Sequence, residues 1–492
     1  MRQFILKYRY TLLLSFLFIF LRLPSLFEPY WYGDEGIYLV LGQGIRKGLT
    51  LYSEIHDNKP PLLYYFAALS QTVFGFRLML AAFMALTNYV FYLLSKKLFT
   101  LKISRLVTLI FLVVTSIPFL EGHIANAEVF MLLPTLYAVY LIFPHQPKLP
   151  QIAFSAFLLG LAFTIKIPVA FEFAAFAVYL LLSFLDFKID KKIFPRFLQK
   201  LPPLLVFATF FILPILLWAV YFYFKSAFPE FIFASLLQNF GYLSSWQTGS
   251  HSGSASQSGV MTRAILLFVS WAIIILFRFL KKIDNKFTFL LLWFTSTIFA
   301  SLLSTRPYPH YLLQILPPTI LLFAHLLSKK VALFSRLAII LLFVFSFLIY
   351  KKYKFYSYPT ISYYKNYYSY LLGKKDLSSY RRYFNSSIDN LYLAADYIKA
   401  NSSPQDHIFI WGDEAYLYAL SDRLPVGRYT VAYHILDFNG YEETISQLKT
   451  QLPPFIVYLP MSNRPFPELD DILELYYYPD KQFSPFTIFR LR

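Results

Sequence analysis

Cysteine is absent from the 492-residue chain, and charged residues make up only 15% of it. The first absence excludes disulfides, thiolate catalysis and cysteine-ligated zinc or iron–sulfur centres. The second excludes an ordinary soluble domain, which needs far more polar surface at this length. The chain is instead 57% hydrophobic, with 55 Phe and 40 Tyr bringing the aromatic share to 21%. Long apolar runs with few charges identify a polytopic α-helical membrane protein. The net charge of +18 does not point to nucleic acid, because of where it lies. Residues 351–492 are nearly balanced, with 16 Lys/Arg against 15 Asp/Glu, whereas residues 1–350 hold 29 basic and 12 acidic residues. The excess sits between apolar runs, as loop bias in a multi-pass protein places it.

The N-terminus "MRQFILKYRY" is basic and runs into apolar residues 11–26 with no small-residue cleavage site behind them, so a retained anchor is expected. Hydropathy gives about eleven transmembrane helices. Their cores lie near 10–27, 76–95, 104–120, 128–144, 151–165, 167–185, 202–224, 262–280, 287–303, 311–328 and 331–350. With the N-terminus cytoplasmic, the inner loops collect Lys96, Lys97, Lys102, Arg105, Lys188, Lys191, Lys192, Arg196, Lys281, Lys282, Lys286, Lys329 and Lys330. Nine of the twelve acidic residues before 351 then fall on the outer side, and the odd number of spans leaves the C-terminal region outside the cytoplasmic (inner) membrane.

This threading divides the chain into a transmembrane module over 1–350, a Tyr/Lys-rich connector over 351–384 and a small α/β outer domain over 385–492. The module carries a first outer loop at 28–75, with interfacial helices, and a flexible outer loop at 226–261 ending in "GSHSGSASQSG". The connector holds ten Tyr among Lys and Arg, a composition suited to a membrane interface. In the last segment "HIFIWG" and "FIVYLP" read as strands, and "NLYLAADYIKA" and "YEETISQLKT" as helices. It has no glycine-rich nucleotide fingerprint, so a folding, acceptor-contact or docking role is expected of it.

Chemistry concentrates in the first outer loop, "PYWYGDEGIYLVLGQGIRKGLTLYSEIHDNKPPLLYYF". Asp34 and Glu35 begin a helix, where exposed amides favour carboxylates, so simple capping is one reading of them. The helix that follows mixes apolar and polar residues, as one lying on a membrane surface does. Beyond it, "HDNKPP" brings Asp57 and Lys59 to two prolines that can start another helix. Lys59, Lys166 in "GLAFTIKIP" and Arg306 in "STRPYPHY" all fall at the outer boundary of apolar spans, against the usual bias. Lipid head groups or neighbouring carboxylates can accommodate each singly; together they fit a bound lipid phosphate. Glu121, His123 and Glu128 in "EGHIANAE" lie at the next outer turn, where a carboxylate can assist the first loop or join His123 and Asp34 around a divalent metal. The spacing is not diagnostic of a metal, and no cofactor is required by the sequence.

These segments together resemble the GT-C class of membrane glycosyltransferases, particularly the bacterial protein O-mannosyltransferase and lipid A aminoarabinose transferase-like family. The pieces are "GDEG", "HDNKPPLLYYF", "HIANAEVFMLLP", "LLGLAFTIKIP" and "RPYPHYLLQILPP", spread along most of the chain. The resemblance implies transfer of a sugar from a polyprenyl-phosphate donor to a lipid, glycan or protein acceptor at the outer face, with membrane lipids as surroundings. It implies Asp34 as catalytic carboxylate with Glu35 beside it, and Lys59 as a donor-phosphate ligand. Lys166 and Arg306 follow as further phosphate ligands, and Asp57, His123, Glu128, His310 and Tyr311 as acceptor or pocket residues. A lipid-linked sugar transporter or flippase is the chief rival, since intramembrane charges also mark pathways. Against it, no pair of broken-helix halves repeats along the chain. A non-enzymatic membrane protein with a partner-binding outer domain is the other rival, and it leaves the acidic first loop unused.

Overall fold

The computed structural model describes residues 2–143, 147–184, 193–239, 253–304, 306–328, 331–460 and 464–492. Among the described residues, helices occupy the apolar stretches, and five of them are long and apolar enough to cross a membrane: Arg9–Phe27, Val73–Leu98, Leu201–Phe224, Gly259–Phe279 and Leu333–Tyr353. The other six expected cores hold helices of 11 to 17 residues: Leu101–Ser116, Leu132–Ile142, Leu149–Phe163, Val169–Phe184, Asn285–Ser301 and Leu316–Leu326. At 1.5 Å per residue the shortest reaches about 16 Å, roughly half of a bilayer's hydrocarbon core. Four of these helices match their expected cores to within about four residues at each end; Leu132–Ile142 is separated from the helical turn Ala127–Phe130 by one residue, and Leu316–Leu326 is shorter because the turn Pro309–Leu313, which ends in two leucines, precedes it.

Two compact units divide the chain. The first comprises residues 1–23, 80–218 and 237–360. In it the helix Asn285–Ser301 is buried on nearly every side, with Trp293 fully enclosed and Phe289 stacked on Phe176 and Phe143. Leu333–Tyr353 shows the reverse, exposing Leu337, Leu341, Phe345 and Leu348. Apolar side chains left outside a protein core in this density mark a lipid-facing helix.

The second unit comprises residues 24–79, 219–236 and 361–492. Here the loop at 28–75 and the C-terminal domain belong largely to one body, not two separate parts. Strands β1 (His407–Trp411), β2 (Leu424–Pro425), β3 (Phe455–Tyr458), β4 (Tyr477–Phe483) and β5 (Phe486–Leu491) form a sheet in the order β2-β1-β3-β5-β4. The first three are parallel, while β5 runs antiparallel to both β3 and β4. Both stretches read as strands and both read as helices take those forms.

The helix Gly33–Arg46 is the hinge between loop and sheet domain, and it departs from the expected surface helix. Every residue from 35 to 44 is buried. One side packs on Leu62–Ser70, where a Cβ on Gly42 would meet the Ala68 nitrogen at 2.6 Å. The other side packs on the helix Tyr416–Ser421, where a Cβ on Gly36 would meet Tyr416 at 3.0 Å. Gln43 Nε2 donates to Asp422 Oδ1 at 3.0 Å, and the His56 amide donates to the Arg428 carbonyl at 2.9 Å. The sheet domain thus covers the face that a membrane surface was expected to cover.

Two further expectations change. The described parts of the loop at 226–261 are helical at Phe228–Ile232 and again from Gly253, in the helix Gly253–Phe279; its middle, 240–252, on which the flexible reading falls, lies outside the described residues. In the 351–384 connector, Tyr363, Tyr367 and Tyr380 are buried, so these tyrosines pack inside the second unit and not at a lipid interface.

Candidate functional site

In the loop unit the helix start at Gly33 puts adjacent acids on different faces. Asp34 keeps a third of its side chain exposed. The Tyr38 hydroxyl, one turn along, donates to its Oδ2 at 3.1 Å, and Lys59 Nζ stands 3.9 Å from the same oxygen. Lys59 also lies 5.0 Å from the centre of the Tyr38 ring, a cation–π approach. Its backbone is pinned at both ends by buried tyrosines: the Lys59 amide donates to Tyr64 Oη at 3.0 Å, and Tyr52 Oη donates to the Lys59 carbonyl at 2.8 Å. Pro60 and Pro61 follow, and the helix Leu62–Ser70 begins immediately after them. A lysine fixed this way holds its ammonium in place more firmly than a loop residue would.

Asp57 sits behind Lys59 and is buried, with its Oδ2 3.8 Å from Lys59 Nζ. Its Oδ1 accepts from the Asn58 amide at 2.7 Å and faces His434 Nε2 at 3.5 Å. Burial pushes this carboxyl up, but Lys59, His434 and the Asn58 amide outweigh it and hold the group below its usual range. His434 comes from the C-terminal domain, on the helix Ala432–Asp437. Burial drives its imidazole down to about 4, with Asp57 opposing, so it is neutral at pH 7.

Glu35 has a different environment. Its oxygens accept from Arg77 Nε at 2.8 Å and Arg77 Nη2 at 2.5 Å. Arg77 Nη1 reaches Glu28 Oε2 at 2.6 Å and the Ser25 carbonyl at 2.9 Å. Glu28 further accepts from Trp31 Nε1 at 2.7 Å and Tyr363 Oη at 2.5 Å. All three charged side chains are buried. Neither Arg77 nor His434 was singled out from the sequence. Arg77 had a legible signal, a cation five residues into the apolar helix Val73–Leu98; His434 had none.

In the transmembrane unit a second constellation forms. Lys166 Nζ pairs with Glu128 Oε1 at 2.7 Å and lies 5.3 Å from the Tyr311 ring centre. His310 Nε2 is 3.9 Å from Glu128, and His310 Nδ1 contacts Glu121. Residue Glu121 adopts a left-handed backbone at φ 57°, ending the short helix Pro118–Leu120. Four residues expected to matter, Glu128, Lys166, His310 and Tyr311, are therefore brought together, with Glu121 added. His123 is buried in the same unit, and Arg306 is half-buried ahead of the helix Pro309–Leu313. Among the described residues, no three His, Asp or Glu side chains converge as a metal-ligand set.

The fold has solved counterparts. ArnT from Cupriavidus metallidurans bound to undecaprenyl phosphate aligns at a TM-score of 0.57 and 13% identity, covering 98% of each chain. The apo state of the same protein aligns at 0.54 and 13%, covering 97% of each. The Archaeoglobus fulgidus oligosaccharyltransferase aligns at 0.45 and 13%, covering 98% of this chain and 74% of that one. No family model and no curated protein matches the chain. The ArnT alignments establish an ArnT-like GT-C fold over nearly the whole length.

Proposed function

We propose that this multi-pass membrane protein is a glycosyltransferase, moving a sugar from a polyprenyl-phosphate donor to an acceptor hydroxyl at the outer face of the cytoplasmic membrane. The observation that carries the reading is the pair in the first loop: a partly exposed carboxylate, Asp34, beside an ammonium, Lys59, whose backbone two buried tyrosines pin. The ArnT fold, solved elsewhere with undecaprenyl phosphate, supports a lipid-phosphate donor.

The two groups match what the chemistry needs. A phosphate leaves an anomeric carbon more readily than an alkoxide does, so the departing group needs positive charge more than a proton. The acceptor hydroxyl needs a base within hydrogen-bond reach. Asp34 removes the hydroxyl proton as the acceptor oxygen bonds to the anomeric carbon. The bond from that carbon to the phosphate oxygen breaks, and Lys59 holds the anion that departs. In-line displacement inverts the anomeric centre. Glu35 positions the helix start through Arg77, and the sheet domain, on the outer side, backs the loop. Within the transmembrane unit, Lys166 and Arg306 are the proposed lipid-phosphate ligands, while His123, Glu128, His310 and Tyr311 are pocket residues.

A radiolabelled polyprenyl-phosphate sugar assay on the purified protein tests this. Asp34→Asn is expected to lower turnover by about 10²–10⁴-fold, the usual contribution of a general base, without altering folding. Undiminished transfer by the folded variant removes Asp34 from the role. Transbilayer movement of the lipid without transfer replaces the enzyme by a flippase.

A further inference from the structure

We infer that His434, supplied by the C-terminal domain, is a positioning residue for the lipid-phosphate ligand Lys59, acting through Asp57. The inference rests on the proposed role of Lys59 and extends it to the C-terminal domain.

The geometry is a relay of three side chains. Asp57 lies between His434 on its Oδ1 side, at 3.5 Å, and Lys59 on its Oδ2 side, at 3.8 Å. Lys59 Nζ stands almost equally far from Asp34, at 3.9 Å, so both carboxylate contacts are longer than a hydrogen bond. A carboxylate that closed fully on Lys59 would occupy the charge that an incoming phosphate needs. Asp57 is held from other sides: its Oδ1 is anchored by the Asn58 amide at 2.7 Å and faced by His434, and the Tyr64 hydroxyl hydrogen-bonds the carboxylate.

His434 is fixed for this task. Its ring is buried, packed 4.5 Å from the Tyr433 ring and 5.3 Å from Phe438 by centroid distance, and its helix is tied to the end of β1 by the Ala432 amide donating to the Gly412 carbonyl at 2.9 Å. Burial keeps the imidazole neutral; among the charged groups around it, Asp57 and Asp34 favour its cation, while His56 and Lys59 oppose it. A neutral ring carrying its proton on Nε2 would turn that N–H toward Oδ1, 3.5 Å away, and draw carboxylate charge away from Lys59 without adding a second cation that would compete for Asp57. His434 Nδ1 is buried and has no hydrogen-bond partner among the described residues. That unmet polar atom is a standing cost of keeping histidine there, which a packing role alone would not require, since an aromatic hydrocarbon fills the same space.

The test reads binding of undecaprenyl phosphate to the purified full-length protein and needs no turnover. Lys59→Met is expected to abolish most of the affinity. His434→Phe keeps the ring and removes the N–H; it is expected to weaken binding about tenfold, within the usual coupling range for contacting residues. His434→Gln, which retains a donor, should stay within about twofold on the same scale. In the Asp57→Asn background, His434→Phe should change affinity less than about twofold, because the charge it manages is gone. If Lys59→Met binds like the parent, the phosphate role of Lys59 fails, and this inference with it. If Lys59→Met loses binding while His434→Phe does not, only this inference fails. Equal loosening by His434→Phe in both backgrounds also overturns it, in favour of packing. Asp57→Asn alone removes the same charge while leaving the His434 side chain in place: it should bind at least as tightly as the parent, and weaker binding refutes the relay.

Discussion

Substituting Glu35 by Gln separates the two acids that stand side by side in "GDEG". Gln keeps the shape of the side chain but replaces one carboxylate oxygen by an NH2 group. In the parent both oxygens accept from Arg77, at 2.8 and 2.5 Å, inside a fully buried cluster with Glu28. One charge-assisted hydrogen bond is lost, worth about 1.5–3 kcal/mol, and a donor then opposes a donor without water. Breaking a buried pair outright costs about 3–5 kcal/mol. Glu28 remains to neutralise Arg77, so a loss near the lower end, about 3 kcal/mol, is expected. Denaturant unfolding of the detergent-solubilised protein measures it, with transfer activity normalised to the folded fraction. Trp31, whose indole N–H donates to Glu28, places a fluorophore on the cluster itself. The expected outcome is lower stability with substantial activity per folded molecule. A variant as stable as the parent but inactive would refute the reasoning and return Glu35 to the chemistry.

Three other outcomes follow from the same unit. Tyr64→Phe removes the acceptor of the Lys59 amide and should cost about 1–3 kcal/mol of stability; it should also raise the donor KM more than it lowers kcat, and an unchanged KM would deny that the tyrosines set the position of Lys59. Gly42→Ala puts a Cβ 2.6 Å from the Ala68 nitrogen and 2.7 Å from the Ala67 carbonyl carbon. Backbone cannot yield there, so overpacking should destabilise by about 1–3 kcal/mol, and an unshifted unfolding midpoint would contradict the close crossing. The buried His434 titrates at about 4 instead of 6.5, so the unfolded chain binds its proton first as pH falls. Stability from this group is intact above pH 6.5 and declines toward pH 4, by up to about 3 kcal/mol. The parent should therefore lose more stability than His434→Gln over that window, and parallel pH profiles would show that His434 is not buried neutral.

Much of this protein is written locally. Composition set the class; hydropathy placed the apolar helices; alternation and helical period found "HIFIWG", "FIVYLP", the helix before them and the helix between them. Asp34 and Lys59 stand out in the sequence because they belong to a charged loop set between long apolar runs, and a cluster of charges there carries information that charges on a soluble surface do not. Breaks within apolar runs were less legible, since Met131 is as apolar as the helices it adjoins and the turn Pro309–Leu313 ends in two leucines.

What the sequence could not decide is which neighbour each charge meets. Successive residues on a helix point about 100° apart, so Asp34 and Glu35 had to diverge, yet the direction of burial depended on Arg77, 42 positions from Glu35. The surface helix inferred from Gly33 onward became a core helix because a segment 379 positions from Gln43 folded back to cover it. His434 next to Asp57 has the same origin. Local periodicity says that a face must be covered or wetted; only the tertiary structure says by what, because packing partners are chosen by the whole chain's shape and not by the sequence on either side.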